Sequence, residues 1–385
     1  MNHKWLTAAL TLTALALVPV SAFATGSFGD HGETRVYWIK AEEIFWDYTP
    51  SFPINLMSGE PFTDDQLVFL DPAPDRIGHI YIKAVYRRYS PGFDRLIDGP
   101  NEVLDPDTGE MLIVRPPGSR REHLGLLGPV IRAEVGDTII VHFRNETRFP
   151  VGVHPHGVFY AKDSEGAPYD DGTSGADKED DAVPTGGEHT YTWQVPLRAG
   201  PGPNDPDSIL WEYHSHTSET ADTNAGLIGP MIIYAPGKMS YRTPDREFIS
   251  IFNIYDENSS SYLDANIERF TTVPVDPDDE DFGESNLMHS INGLLFGNLR
   301  GLRMRLGDLV RWYIFGMGTE VDIHTPHWHG ATVLHNGNRI DVTEIFPAVA
   351  KQMDMRPDDP GTWMYHCHVN DHLDAGMITT FTVLH

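Results

Sequence analysis

Cysteine is nearly missing from this sequence: among 385 residues there is one, Cys367. A single thiol closes no disulfide within the chain, so a fold stapled by such bridges is excluded. Cations are scarce as well. Lys and Arg number 28 against 56 Asp and Glu, and the formal charge of −28 argues against a nucleic-acid or anionic-lipid partner, leaving cationic partners or plain solvation. Beyond residue 20 no apolar run approaches the roughly 18 residues a spanning helix needs, so no membrane insertion is expected once the N-terminal segment is removed. Sustained helical periodicity is rare too, whereas 35 Gly and 29 Pro separate short apolar runs. That pattern predicts an all-β protein, with length enough for two domains.

What is present begins with an export pattern. Lys4 precedes an apolar run from Leu6 to Val20, and Ala22-Phe23-Ala24 has the form of a cleavage signal. Residues 1–24 therefore read as a signal peptide and the mature protein as exported, periplasmic or secreted. A lone thiol in an oxidising compartment is either a liability or a ligand. Its surroundings argue for the ligand: in WMYHCHVNDHLDAGM (363–377) His366 and His368 flank Cys367, His372 lies five residues on and Met377 ten. A soft thiolate, an imidazole and a weak thioether, joined by a distant His, are the donor set of a blue copper electron-transfer site. In an extended strand His366 and His368 point away from Cys367, so they serve a second centre behind it. The tripeptide is then a short covalent path for electrons.

Two stretches, 25–240 and 241–385, repeat the same landmarks. A Gly-Asp turn opens a strand that leads to a His cluster: VGDTIIVHFRN then VGVHPHG in the first, LGDLVRWYIFG then VDIHTPHWHG in the second. Trp211 precedes His214-Ser215-His216 by three residues, and Trp363 precedes His366-Cys367-His368 by three. Each copy closes on Ala-Gly and a β-rich run. An internal repeat of this size predicts two similar β-sandwiches. Alignment places Val151 opposite His324, Ser215 opposite Cys367 and Leu227 opposite Met377, so only the second copy can hold a blue site. Two acidic stretches, 162–187 and PVDPDDEDFGES at 274–285, read as surface loops.

The His motifs are His154-Pro155-His156, His214-Ser215-His216, His324 with His327-Trp328-His329, and His366-Cys367-His368 with His372. One His-x-His strand splays its imidazoles and cannot chelate one ion. Four such pairs can enclose several metals between two domains, and nitrogen-rich sites favour copper. These motifs, with the spacing of Cys367, His372 and Met377, resemble the multicopper oxidases over nearly the whole mature chain. HLGLLGPVIRAEVGDTIIVHFRN, HPHGVFYAKDSEGAPYDDG, INGLLFGNL and HCHVNDHLDAGM are most similar to the ceruloplasmin and hephaestin branch.

The resemblance implies two cupredoxin-like Greek-key β-sandwich domains and four coppers per subunit. His324, Cys367, His372 and axial Met377 would hold type 1 copper; His154 and His327 type 2; His156, His214, His216, His329, His366 and His368 the type 3 pair. It further implies that a small reducing substrate gives electrons at type 1 copper and that O2 becomes water at the trinuclear cluster. That cluster needs His pairs from both domains, and the likeness to small two-domain oxidases and copper nitrite reductases implies a homotrimer with each cluster between subunits; a monomer with an internal cluster is the alternative. By the same resemblance Glu284, His289 and Asp371 would bind Fe(II) beside type 1 copper, and Asp177, Asp180 and Asp181 would hold calcium. Phenolic, laccase-like donors stay open beside Fe(II). So do two other readings, a copper nitrite reductase and a non-catalytic relative; Ser215 and the complete His set argue against the first, and the full set of ligand positions against the second.

Overall fold

The computed structural model describes residues 32–240 and 244–385, which form one compact unit. The expected signal peptide and the residues just past the 240/241 boundary lie outside the described residues. Strands form where the sequence alternates. In Thr138–Asn145, Ile139, Val141, Phe143 and Asn145 are buried and the residues between them half-buried, the period-two signature of a strand with one face on a core. The Gly-Asp pair makes the turn before it. Gly136 takes φ +102°, natural for glycine, and the Asp137 carboxylate accepts from the Glu134 and Glu33 N–H groups at 2.9 and 2.8 Å. The second copy does the same: Gly307 sits at φ +79° and Asp308 accepts from Arg305 N–H at 2.9 Å.

Sheet topology repeats in the same way. Thr34–Asp47 lies antiparallel to Ile80–Tyr89 and parallel to Thr138–Asn145, which pairs antiparallel with Glu188–Gln194. Correspondingly, Arg246–Asp256 lies antiparallel to Leu287–Ile291 and parallel to Val310–Gly316, which pairs antiparallel with Ala350–Met355. Each of these six-stranded sheets packs on a four-stranded one. There the strand leading into His-x-His, Ser208–His214 or Gly361–Cys367, pairs antiparallel with Ile228–Tyr234 or Ile378–Leu384. The all-β expectation of paired cupredoxin-like sheets is met.

One core lies between the sheets of each copy, around Phe143, Trp193 and Met231 in the first and Trp312, Trp328 and Phe381 in the second. Two further buried clusters draw on both copies, for example Tyr48 with Tyr255 and Leu210 with Phe315. Burial of that apolar surface holds the copies together. Helices are short. The acidic stretch 274–285, expected as a loop, ends in a helix, Glu280–Ser285: the Asp279 carboxylate caps it by accepting from Asp281 and Phe282 N–H, and Phe282 anchors it in the core. Among the described residues no helix is long and apolar enough to cross a membrane.

Candidate metal centre

The strand Gly361–Cys367 runs beside Pro326–Trp328 with Cys367 opposite Pro326 and His366 opposite His327. This register sorts the donors. Cys367 is fully buried, and its Sγ accepts from Thr325 N–H at 3.4 Å and lies 3.8 Å from His372 Nδ1. The short helix Asn370–Asp374 folds His372 back over the strand end, and His324 meets it with the two Nδ1 atoms 3.1 Å apart. Met377 is fully buried in the same core cluster as Cys367, and its carbonyl accepts from Cys367 N–H at 3.0 Å. Burial alone would raise the Cys367 thiol; the adjoining His324 and His372 and the Thr325 N–H outweigh it and hold it down to about 6. The group is a thiolate at neutral pH. Asp322, which sequence reasoning missed, takes the other face of His324, Oδ1 to Nε2 at 3.2 Å, and turns Nδ1 toward the sulfur. One buried thiolate and two converging imidazole nitrogens fit copper by donor softness.

On the far side His366 joins His327 and His329, its Nε2 lying 3.2 Å from His327 Nδ1 and 3.0 Å from His329 Nε2. The His368 ring lies 5.3 Å from that of His327. The first copy places its His pairs alike but draws fewer donors together: no three of its His ligand atoms lie within 4.8 Å of one another, whereas those of His327, His329 and His366 do. His156 Nε2 faces His214 Nε2 at 3.1 Å, and the His154 ring stands 5.3 Å from that of His216. Backbone carbonyls set the tautomers: His366 Nδ1 bonds to Cys367 O at 2.6 Å, His154 Nδ1 to Glu165 O at 2.6 Å and His214 Nδ1 to Ser215 O at 3.1 Å, leaving each Nε2 lone pair free. Burial first, then neighbouring imidazoles, lowers His156 and His366 to about 4 and His214 to about 3. They are neutral donors at working pH. Among the described residues no ring contact joins the two sets, so one chain presents two separate four-His groups.

Ser215, opposite Cys367 in the repeat, is buried and donates to Asp222 Oδ2 at 2.6 Å. A hydroxyl there takes the place of the thiolate, and in the same register Thr220 stands opposite His372. The iron expectation is brought together only in part: His289 lies tilted beside His372, ring centroids 5.4 Å apart, while Glu284 and Asp371 are exposed. Burial lowers His289 to about 4. Ligand atoms of Glu284, His289 and Asp371 do not all lie within 4.8 Å of one another, and neither do those of Asp177, Asp180 and Asp181. Asp177 is exposed and Asp181 pairs with Lys178 at 3.1 Å. Asp180 is buried, with Oδ2 taken by Gly166 N–H at 2.7 Å and Oδ1 unpartnered. Sequence reasoning also missed Glu212, 2% exposed, whose carboxyl oxygens have no hydrogen-bond partner and whose Oε1 lies 3.6 Å from His156 Nδ1. The one signal was a charge in the otherwise apolar strand SILWEYH.

Two family models, both described as multicopper oxidase, match residues 124–238 and 271–385, together more than half of the chain and all twelve expected copper donors. This chain belongs to the multicopper oxidase family. It is 44% identical over 359 residues to ferroxidase HEPHL1 of Homo sapiens, 41% over 362 to hephaestin and 38% over 363 to ceruloplasmin from the same organism. Each match covers 91% of this chain but only 29–31% of the relative, so the chain spans under a third of those multicopper oxidases. Among solved structures, the multicopper oxidase mgLAC superposes with TM-score 0.56 at 18% identity, covering 91% of this chain and 86% of that one. A copper nitrite reductase from Nitrosomonas europaea gives 0.55 at 15%, covering 91% and 94%. At such identities the likeness shows the fold alone.

Proposed function

We propose that the chain is an oxidase that takes electrons singly from a small reducing donor beside Cys367 and delivers four of them, with four protons, to O2, giving two waters. One observation supports this above the rest. Cys367 Sγ shares a buried point with Nδ1 of His324 and His372, while its covalent neighbours His366 and His368 turn into a separate imidazole set. In this reading His324, Cys367, His372 and Met377 would hold type 1 copper, His154 and His327 type 2, and His156, His214, His216, His329, His366 and His368 the type 3 pair. Copper bound at these positions supplies the one-electron redox chemistry.

The chain's own residues prepare and link the sites. Thr325 N–H and the neighbouring imidazoles keep Cys367 ionised, and Asp322 fixes the His324 ring. The Cys367 carbonyl bonded to His366 Nδ1 adds a hydrogen bond to the covalent path from sulfur to the second set. Glu212, pushed up to about 8 by burial and then by Glu219, keeps a proton beside His156 at neutral pH. Since the two four-His groups do not meet within a chain, each cluster is completed by the first domain (25–240) of one subunit and the second (241–385) of the next, closing a ring of three. The leader pattern at 1–24 supports export to the periplasm or beyond. For calcium, the unpartnered Oδ1 of Asp180 is the supporting feature, a hard oxygen donor without a bond.

Fe(II) is the donor this reading favours, because His289 stands against His372 and the exposed carboxylates Glu284 and Asp371 flank the two histidines in sequence; hard oxygen donors favour Fe(III) over Fe(II). Phenols are the comparison donor. Replacing both Glu284 and Asp371 by Ala should cut kcat/KM for Fe(II) at least tenfold and leave that for a phenol within about twofold, since the copper donors are untouched. Equal losses for both donors would remove the iron site.

A further inference from the structure

Away from every histidine set, a cavity of about 280 Å³ opens where four separated segments converge: the loop 118–124, residues 130–132, the start of Arg246–Asp256, and 301–303. Five arginines line it: Arg120, Arg121, Arg132, Arg246 and Arg303. In a chain of net charge −28 this concentration of guanidinium groups is out of keeping with the surface around it. Two of the five are committed. Arg132 pairs with Glu247 at 2.9 Å, and Arg121 reaches Asp98 at 3.5 Å. Arg120, Arg246 and Arg303 make no side-chain hydrogen bond or ion pair with any described residue. The two lining carboxylates offset them only in part: Glu247 is taken by Arg132, and Glu122, which accepts from Gly118 N–H at 2.7 Å, leaves the three guanidinium groups in excess. His123 lies buried at the wall, its Nε2 accepting from Ile249 N–H at 3.2 Å, and burial lowers it to about 3, so it adds no charge.

Unpaired guanidinium groups that surround a concave space from separate strands and loops repel one another unless an anion sits among them. Their planar forks match carboxylate and phosphate oxygens two at a time. We propose that this cavity binds a small polyvalent oxyanion, of the polycarboxylate or polyphosphate class, through Arg120, Arg246 and Arg303. The cavity, about 280 Å³, has room for a small molecule of a dozen or so heavy atoms. Both copies of the repeat contribute to the wall, so the bound anion also ties Arg120 of the first to Arg246 and Arg303 of the second. The site is independent of the copper chemistry.

Calorimetric titration of the copper-loaded protein with tricarballylate, with pyrophosphate and with acetate tests it. One-to-one saturable binding of tricarballylate or pyrophosphate, weakened by added salt and absent for acetate, is expected, and the tighter of the two identifies the source chemistry. The Arg246→Gln/Arg303→Gln double variant, and Arg120→Gln alone as a milder change at an exposed position, should each weaken binding, the double variant at least tenfold. An unchanged visible absorption spectrum and melting temperature would show both variants folded and metallated. No saturable binding by the parent protein, or affinity unchanged in the folded double variant, would overturn the proposal.

Discussion

At Cys367 the decisive fact is direction. The sulfur faces one buried point with His324 and His372, and the residues on either side of it face another. That a thiolate and imidazoles at strand spacing would gather was legible in the sequence, and the structure brings together Cys367 with His324 and His372, and His366 with His327 and His329. Their supports were not legible. Asp322 and Glu212 act through contacts that join residues by fold rather than by motif, and an isolated acid in an apolar strand carries no sign of what it faces. Glu212 gives a direct prediction. Its folded value of about 8 lies above the ordinary range for Glu, so in the copper-free protein its protonated form contributes stability fully present below about pH 4.5. That stability is lost as pH rises toward and through 8. Copper-free Glu212→Gln should therefore match the parent in thermal unfolding at pH 5 and exceed it by several degrees at pH 9. An equal difference at both pH values would mean that the carboxyl carries no such penalty.

At the level of elements, the repeated Trp three residues before each His-x-His turns out to have a packing cause. Trp211 lies against Gly157, which follows His154-Pro155-His156, and Trp363 against Gly330, which follows His327-Trp328-His329. Both glycines hold left-handed backbone, φ +77° and +65°, and a Cβ on either would meet the indole at 2.3 or 2.6 Å. The indole thus seats one His pair against the other across neighbouring strands. The sequence showed the Trp and the Gly but not that they touch, since their separation in the chain hides it. Gly330→Ala should cost about 2–4 kcal/mol from strain and overpacking. Thermal unfolding should show the loss, and copper analysis should show reduced occupancy at the second set; Gly283→Ala, in open space on the helix Glu280–Ser285, is the control expected to change little. The second half of the acidic run at 274–285 is helix rather than the expected loop for a related reason: Phe282 reaches a core drawn from both copies, which composition does not display.

For the whole molecule, the account turns on two four-His groups that a single chain keeps apart. Mixing can tell shared clusters from internal ones. One variant carries His156→Ala and His214→Ala, the other His327→Ala and His366→Ala; each alone should reduce no O2. Dissociated and reassembled together, they should recover a measurable fraction of parental oxygen uptake, because some junctions then pair an intact first domain with an intact second. Clusters formed within one chain would recover none.

The most direct measurement is anomalous scattering at the copper edge from crystals of the fully metallated protein. The account predicts one copper bound by Cys367 Sγ and the Nδ1 atoms of His324 and His372, and three more held between His154, His156, His214 and His216 of one chain and His327, His329, His366 and His368 of its neighbour. Copper absent from Cys367, or each four-His group closed around metal on its own, would contradict it.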